Sequence, residues 1–96
     1  MPRNQKLTKV IAGRTIRAET TESGSVLVLF DDRSSMKIKT VGAAAASPGS
    51  KVESVHEAGA GFKIEFEDGS SVTLSLANPG SSVAVRDKNN AVEYLG

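Results

Sequence analysis

The chain has 96 residues, 24% of them charged, a net charge of +1 and no cysteine. That length holds one domain with a thin core, and without thiols there is no disulfide framework, thiolate chemistry or Cys-based zinc site. The basic start "MPRNQKLTKVIAG" carries no long apolar stretch or cleavage pattern, and no apolar run approaches the ~20 residues that span a bilayer, so we expect a soluble, cytoplasmic protein with no membrane contact.

The first predicted element is a short helix over about 4–12. Asn4 is a suitable N-cap, Leu7, Val10 and Ile11 share one face, and Gly13 can take the left-handed conformation that ends a helix. About two turns of helix are unstable alone and need a surface to pack on. From Arg14 the period drops to two. Ile16, Ala18 and Thr20 alternate with Arg17 and Glu19, "ESGS" turns, Val26–Phe30 forms a strand, "DDRS" turns, and Met36 and Ile38 alternate with Lys37 and Lys39. This predicts a three-stranded antiparallel meander over about 14–40. A small-residue linker loop over 41–50, "VGAAAASPGS", follows, with a brief helical turn across its alanines.

The pattern then repeats over about 51–77. Val52, Ser54 and His56 alternate with Glu53, Val55 and Glu57, "AGAG" turns, Phe62, Ile64 and Phe66 form the middle strand, "EDGS" turns, and Val72, Leu74 and Leu76 complete the second meander. A shift of 36 residues lays Ile16 on Val52, Phe30 on Phe66, Asp32 on Asp68, Ser34 on Ser70 and Ile38 on Leu74. Two copies are too few for a solenoid. They suit a pseudo-symmetric pair of meanders in one small barrel or sandwich, closed by a hairpin over about 82–95 that joins "SSVAVRD" to "AVEYLG" through "KNN". The predicted fold class is mainly β with one short N-terminal helix.

The doubled "FDDRSS"/"FEDGSS" stretch has the residue types of hairpin turns, whose short acidic side chains bond nearby backbone amides. Asp31, Asp32, Glu67 and Asp68 also supply oxygen ligands, but calcium wants six to eight oxygens from a purpose-built loop, and "DDRSS" lacks the alternating D-x-D-x-D-G pattern. We therefore expect turns and no metal. Arg33 stands where the second copy has Gly69, so matching turns would hold Arg33 at positive φ.

The two middle strands differ. Lys63 and Glu65 take the outward positions of the second, whereas Leu27 and Leu29 take those of the first. A strand apolar on both faces needs cover. The expected cover is the N-terminal helix through Leu7, Val10 and Ile11; the alternative is a partner protein or a second copy of this chain.

Candidate chemistry is sparse. His56, the single histidine, falls in the apolar phase of its strand, and no G-x-S-x-G or P-loop accompanies it. Arg86 and Glu93 flank the last turn and are placed for a cross-strand ion pair. Tyr94 can hydrogen-bond at the closing edge, and Arg and Tyr together are enriched in binding hot spots. Residues 1–40 hold eight Lys or Arg against four Asp or Glu, and residues 41–96 hold four against seven. We read this split as two halves that attract each other within the fold. The other reading makes Arg3, Lys6, Lys9, Arg14 and Arg17 a nucleic-acid face, although the three phenylalanines point inward and leave no stacking platform.

The combination of "AGRTI", "FDDRSS"/"FEDGSS" and "SSVAVRD…VEYLG" resembles a set of small bacterial all-β proteins of unknown function. These have an A-G-R-x-I opening, F-x-D-G-S turns and a closing S-V-x-V-R-D before E-Y. The resemblance covers nearly the whole chain, implies the fold, and carries no activity, ligand or catalytic residue; Arg33 departs from it at the glycine of the first turn.

The residues thus point to a non-enzymatic, protein-binding or self-associating β module without a cofactor. Its interface candidates are Leu27, Leu29, Arg86 and Tyr94, and weak nucleic-acid binding through the basic N-terminal part is the alternative.

Overall fold

The computed structural model describes residues 1–41 and 48–96. Helix α1 spans Gln5–Ile11, capped by Asn4, whose side chain accepts from the Leu7 amide at 3.1 Å. Gly13 follows with φ 86°, as a helix stop needs. Eight strands follow: β1 (Ile16–Glu22), β2 (Ser25–Phe30), β3 (Ser35–Lys39), β4 (Val52–Ala58), β5 (Gly61–Phe66), β6 (Ser71–Ser75), β7 (Val83–Arg86) and β8 (Val92–Leu95). The helix, both meanders and the closing hairpin stand where the periodicity puts them. The helical turn expected across the alanines falls on residues outside those described.

The strands fall into two antiparallel sheets rather than one continuous barrel. One is five-stranded in the order β1-β2-β3-β7-β8, and the other is the three-stranded β4-β5-β6. The closing hairpin therefore extends the first meander, by β3–β7 pairing, although it comes after the second in sequence. Both sheets bury one face in a common core that includes Val28, Phe30 and Met36 from the first and Val55, Phe62 and Ile64 from the second.

Main-chain bonds display the internal repeat as a pseudo-two-fold. Ile16 N donates to Ser50 O at 2.9 Å and Val52 N to Arg14 O at 2.9 Å; Val41 N donates to Ser75 O at 2.8 Å and Ala77 N to Lys39 O at 3.0 Å. Each pair exchanges roles under the 36-residue shift. Together they stitch the sheets at two corners, where Thr15 bridges Lys51 and Thr40 bridges Leu76.

Strict alternation fails at one matched place in each copy. Ile16 pairs with Phe30 but Ala18 with Leu29, which leaves Arg17 as an extra residue; Val52 pairs with Phe66 but Ser54 with Glu65, which leaves Glu53 extra. A bulge of this kind flips the phase of the rest of the strand. Val55 therefore points into the core, fully buried, while Ser54 and His56 share the outer face with Lys63 and Glu65. This corrects the placement of His56 in the apolar phase, and likewise the grouping of Ala18 and Thr20 with Ile16.

The helix does not cover Leu27 and Leu29. Residues just before it add to the edge of β4, with Asn4 N donating to Val55 O at 2.8 Å and Glu57 N to Pro2 O at 3.0 Å, and Asn4 Nδ2 donates to the Tyr94 hydroxyl at 3.0 Å. These bonds fix α1 against β4 and β8, where Leu7 and Ile11 are fully buried in the core.

Candidate interaction face

The outer face of the five-stranded sheet is set by the strand registers. One row across the strands reads Thr20, Leu27, Lys37, Ala84, Leu95, and the next reads Ala18, Leu29, Ser35, Arg86, Val92. Leu27 and Leu29 are half-buried, while Val92 is 47% exposed and Leu95 67%. A groove of about 360 Å³ opens on this face; Lys37 and Lys39 line one side, and Ala84, Leu95 and the Gly80–Ser82 loop line the other.

Of the predicted interface residues, Leu27, Leu29 and Arg86 share this face. Tyr94 does not. It pairs with the buried Val85 and packs on the core side, its hydroxyl held by Asn4. Between the Val85–Tyr94 and Arg86–Val92 pairs, Glu93 is a bulge residue. The bulge puts Val92 and Leu95, three apart, on one face. Two apolar residues three apart in a short strand are the sequence signal for this, and Val52 and Val55 carry it too.

The same bulge breaks the expected Arg86–Glu93 pair, because a bulge re-aims its side chain. Arg86 donates instead to Asn90 O at 3.0 Å. Glu93 takes a bidentate bond from Arg14, at 3.0 and 2.8 Å. Arg14 also donates to Ser34 Oγ at 2.9 Å, lies 3.4 Å from Asp32, and stands over the Phe30 ring at 6.0 Å. Hydrogen bonding to Glu93 raises the Arg14 pKa further above its usual range. For Asp32, partial burial pushes the carboxyl up, but bonds from the Ser34 hydroxyl and amide and the Arg14 charge outweigh it and hold the carboxyl below the usual range. Among the basic residues considered for nucleic acid, Arg14 is thus committed to this cluster, while Arg3, Lys6, Lys9 and Arg17 are exposed.

The Arg14–Glu93 pair joins the basic first part to the acidic second, but the other ion pairs do not follow the expected attraction of halves. Arg14–Asp32 lies within the first, and Lys51–Glu67 and Lys63–Glu65 lie within the second.

On the other sheet, Ser54 Oγ lies 3.1 Å from His56 Nε2, and Glu65 Oε2 lies 3.6 Å from the same nitrogen, while Nδ1 faces the Met1 carbonyl at 3.3 Å. A relay needs the acid on one ring nitrogen and the nucleophile on the other. Here both sit on Nε2 and Ser54 is 2% exposed, so the cluster ties the N-terminal arm to β4. A hydrogen bond from Lys63 holds the Glu65 carboxyl below its usual range. Among the described residues no group of three or more His, Asp or Glu is arranged to hold a metal ion, and no helix is long and apolar enough to cross a membrane. Asp32 and Asp68 instead close their own turns on Ser34 and Ser70.

No protein-family model, curated protein or solved structure matches the chain.

Proposed function

We propose that the chain is a non-enzymatic protein-binding module that presents the outer face of its five-stranded sheet. The observation that carries this is the apolar surface left there: Leu95 at 67% and Val92 at 47% exposure beside a groove, with half-buried Leu27 and Leu29 across the sheet. Apolar area gathered on one sheet face of so small a protein marks an interaction surface. The proposal includes a cytoplasmic setting and kinship with the small bacterial all-β proteins that share its turns.

A photo-crosslinking amino acid in place of Ala84 tests it. Discrete protein adducts are expected, absent when the same group replaces Thr73 on the three-stranded sheet, and lost when Leu95→Glu is added. Adducts no stronger at position 84 than at position 73 would overturn the reading. The competing reading, nucleic acid held by Arg3, Lys6, Lys9 and Arg17, rests on their exposure. Its signature is oligonucleotide affinity that collapses with added salt.

A further inference from the structure

The charge on this face says which kind of protein it suits, given the protein-binding reading above. Lys37 and Lys39 alternate along β3, the middle strand, so their outward side chains stand roughly 7 Å apart. Both are exposed, and neither makes an ion pair with any described residue. Arg86 continues the stripe one strand over, its guanidinium also donating to Asn90 O. The acid in the same registers is Glu22, which pairs with Ser25 at the margin, two strands from Lys39. A basic stripe therefore runs down the centre of the sheet, with Leu27 and Leu29 on one side and Ala84, Val92 and Leu95 on the other.

A second copy does not fit this pattern. A two-fold dimer buries the same patch on both protomers and would press one lysine stripe onto the other, and like charges facing across an interface repel. Bases do not suit it either, since the rows that pass through Lys37 and Arg86 carry no aromatic side chain to stack on. Carboxylates flanked by aliphatic side chains suit both features. We infer that this face takes an extended acidic segment of another protein, with its carboxylates on Lys37 and Lys39 and its apolar side chains on Leu27 and Leu95.

The probes are the acetylated, amidated hexapeptide Leu-Leu-Glu-Glu-Leu-Leu, which in extended form carries leucine and glutamate on the same face, and its counterpart with glutamine in place of glutamate. Each is titrated into the full chain while backbone amide shifts are followed. Saturable shifts on β3 and β7 are expected, at least tenfold tighter for the glutamate peptide, with the preference lost in Lys37→Glu/Lys39→Glu. Both lysines are exposed, so the variant should fold, and its amide spectrum checks this. Equal binding of the two peptides overturns the acidic requirement but leaves the protein-binding reading standing. No shift with either overturns the inference, and the crosslinks at position 84 then judge the reading separately. An oligothymidylate that shifts the same amides as tightly makes the occupant nucleic acid. Concentration-dependent broadening of those amides without peptide makes it a second copy. Either result overturns the inference.

Discussion

The turn between β2 and β3 and the turn between β5 and β6 have the same skeleton and different surroundings. In the first, Phe30 N donates to Ser34 O at 2.9 Å and Arg33 N to Phe30 O at 3.1 Å; in the second, Phe66 N donates to Ser70 O at 2.9 Å and Gly69 N to Phe66 O at 3.1 Å. Asp32 and Asp68 each accept from the amide and hydroxyl of the serine two residues on. Yet Ser34 is 2% exposed beneath the Arg14 guanidinium, while Ser70 is open to solvent. Position 14 corresponds to Ser50 in the second copy, and β8 delivers Glu93 to the first copy alone. The closing hairpin breaks the pseudo-symmetry, and the arginine clamp fastens it to one copy. The turn's own bonds set its shape, and the clamp sets what is attached to it.

Removing the clamp tests this most directly. Arg14 and Glu93 are mostly shielded, with side chains 17% and 27% exposed. Hydrogen bonds between charged groups contribute ~1.5–3 kcal/mol, so Arg14→Met is expected to cost about 2 kcal/mol. In a domain of this size that lowers Tm by roughly 8–16 °C. Lys51→Met in the second copy removes a 4.0 Å pair that is half exposed on both sides and should cost under about 0.5 kcal/mol. Thermal unfolding of both variants decides the matter, and equal losses would show that the clamp fastens nothing. Amide exchange in β8 should accelerate in Arg14→Met while β4–β6 is unchanged.

The residue exchange inside the turns comes next in size. Arg33 has φ 71° and Gly69 φ 88°, so both occupy the left-handed region, as the matched strings predict. A built Cβ at Gly69 meets nothing within 4 Å, so Gly69→Ala should cost only the conformational strain, about 1 kcal/mol. Arg33→Gly relieves the same strain but frees the unfolded chain, which offsets roughly half of the gain, leaving a rise in Tm of roughly 2–4 °C. A fall on Arg33→Gly would mean that the Arg33 side chain stabilises the first turn by more than its strain.

Much of this was legible because local rules act locally. Asn4 before Leu7, Val10 and Ile11 specified the helix, and Phe-x-Asp-x-Ser twice at one spacing specified both turns. The misread points all lie at bulges or at long range. A bulge at Arg17 or Glu53 changes the phase without changing composition, and a period-two reading put Ala18 and His56 on the wrong face. Pairing of β7 with β3 rather than with its sequence neighbour β6 depends on packing that no local window contains. Arg14 and Glu93 are 79 residues apart, and nothing in either segment marks the other as its partner. The candidate face was half visible: Leu27 and Leu29 stood out against Lys63 and Glu65, but Leu95 reached that face only through the bulge at Glu93.

Acid titration gives the smallest effect and separates the turns once more. The carboxyls of Asp32, Asp68 and Glu65 are all held below their usual values in the folded protein, Asp68 chiefly by the Ser70 hydroxyl. A carboxyl depressed in this way contributes its stability fully above the unfolded value, ~4, and loses it as pH falls through the folded value. Tm should therefore be flat near neutrality and decline below about pH 4. Asp32 is half exposed, so solvent screening keeps its share small. The variants resolve the two turns. Asp68→Asn should flatten the acid limb in the presence or absence of Arg14, because bonds within its own turn, chiefly from Ser70, hold that carboxyl. Asp32→Asn should flatten it more in wild type than in Arg14→Met, because part of its depression comes from the guanidinium. An acid limb in which Asp32→Asn acts identically in both backgrounds would leave the turn's own bonds as the cause at Asp32, and the two turns would then be electrostatically alike despite the clamp over one of them.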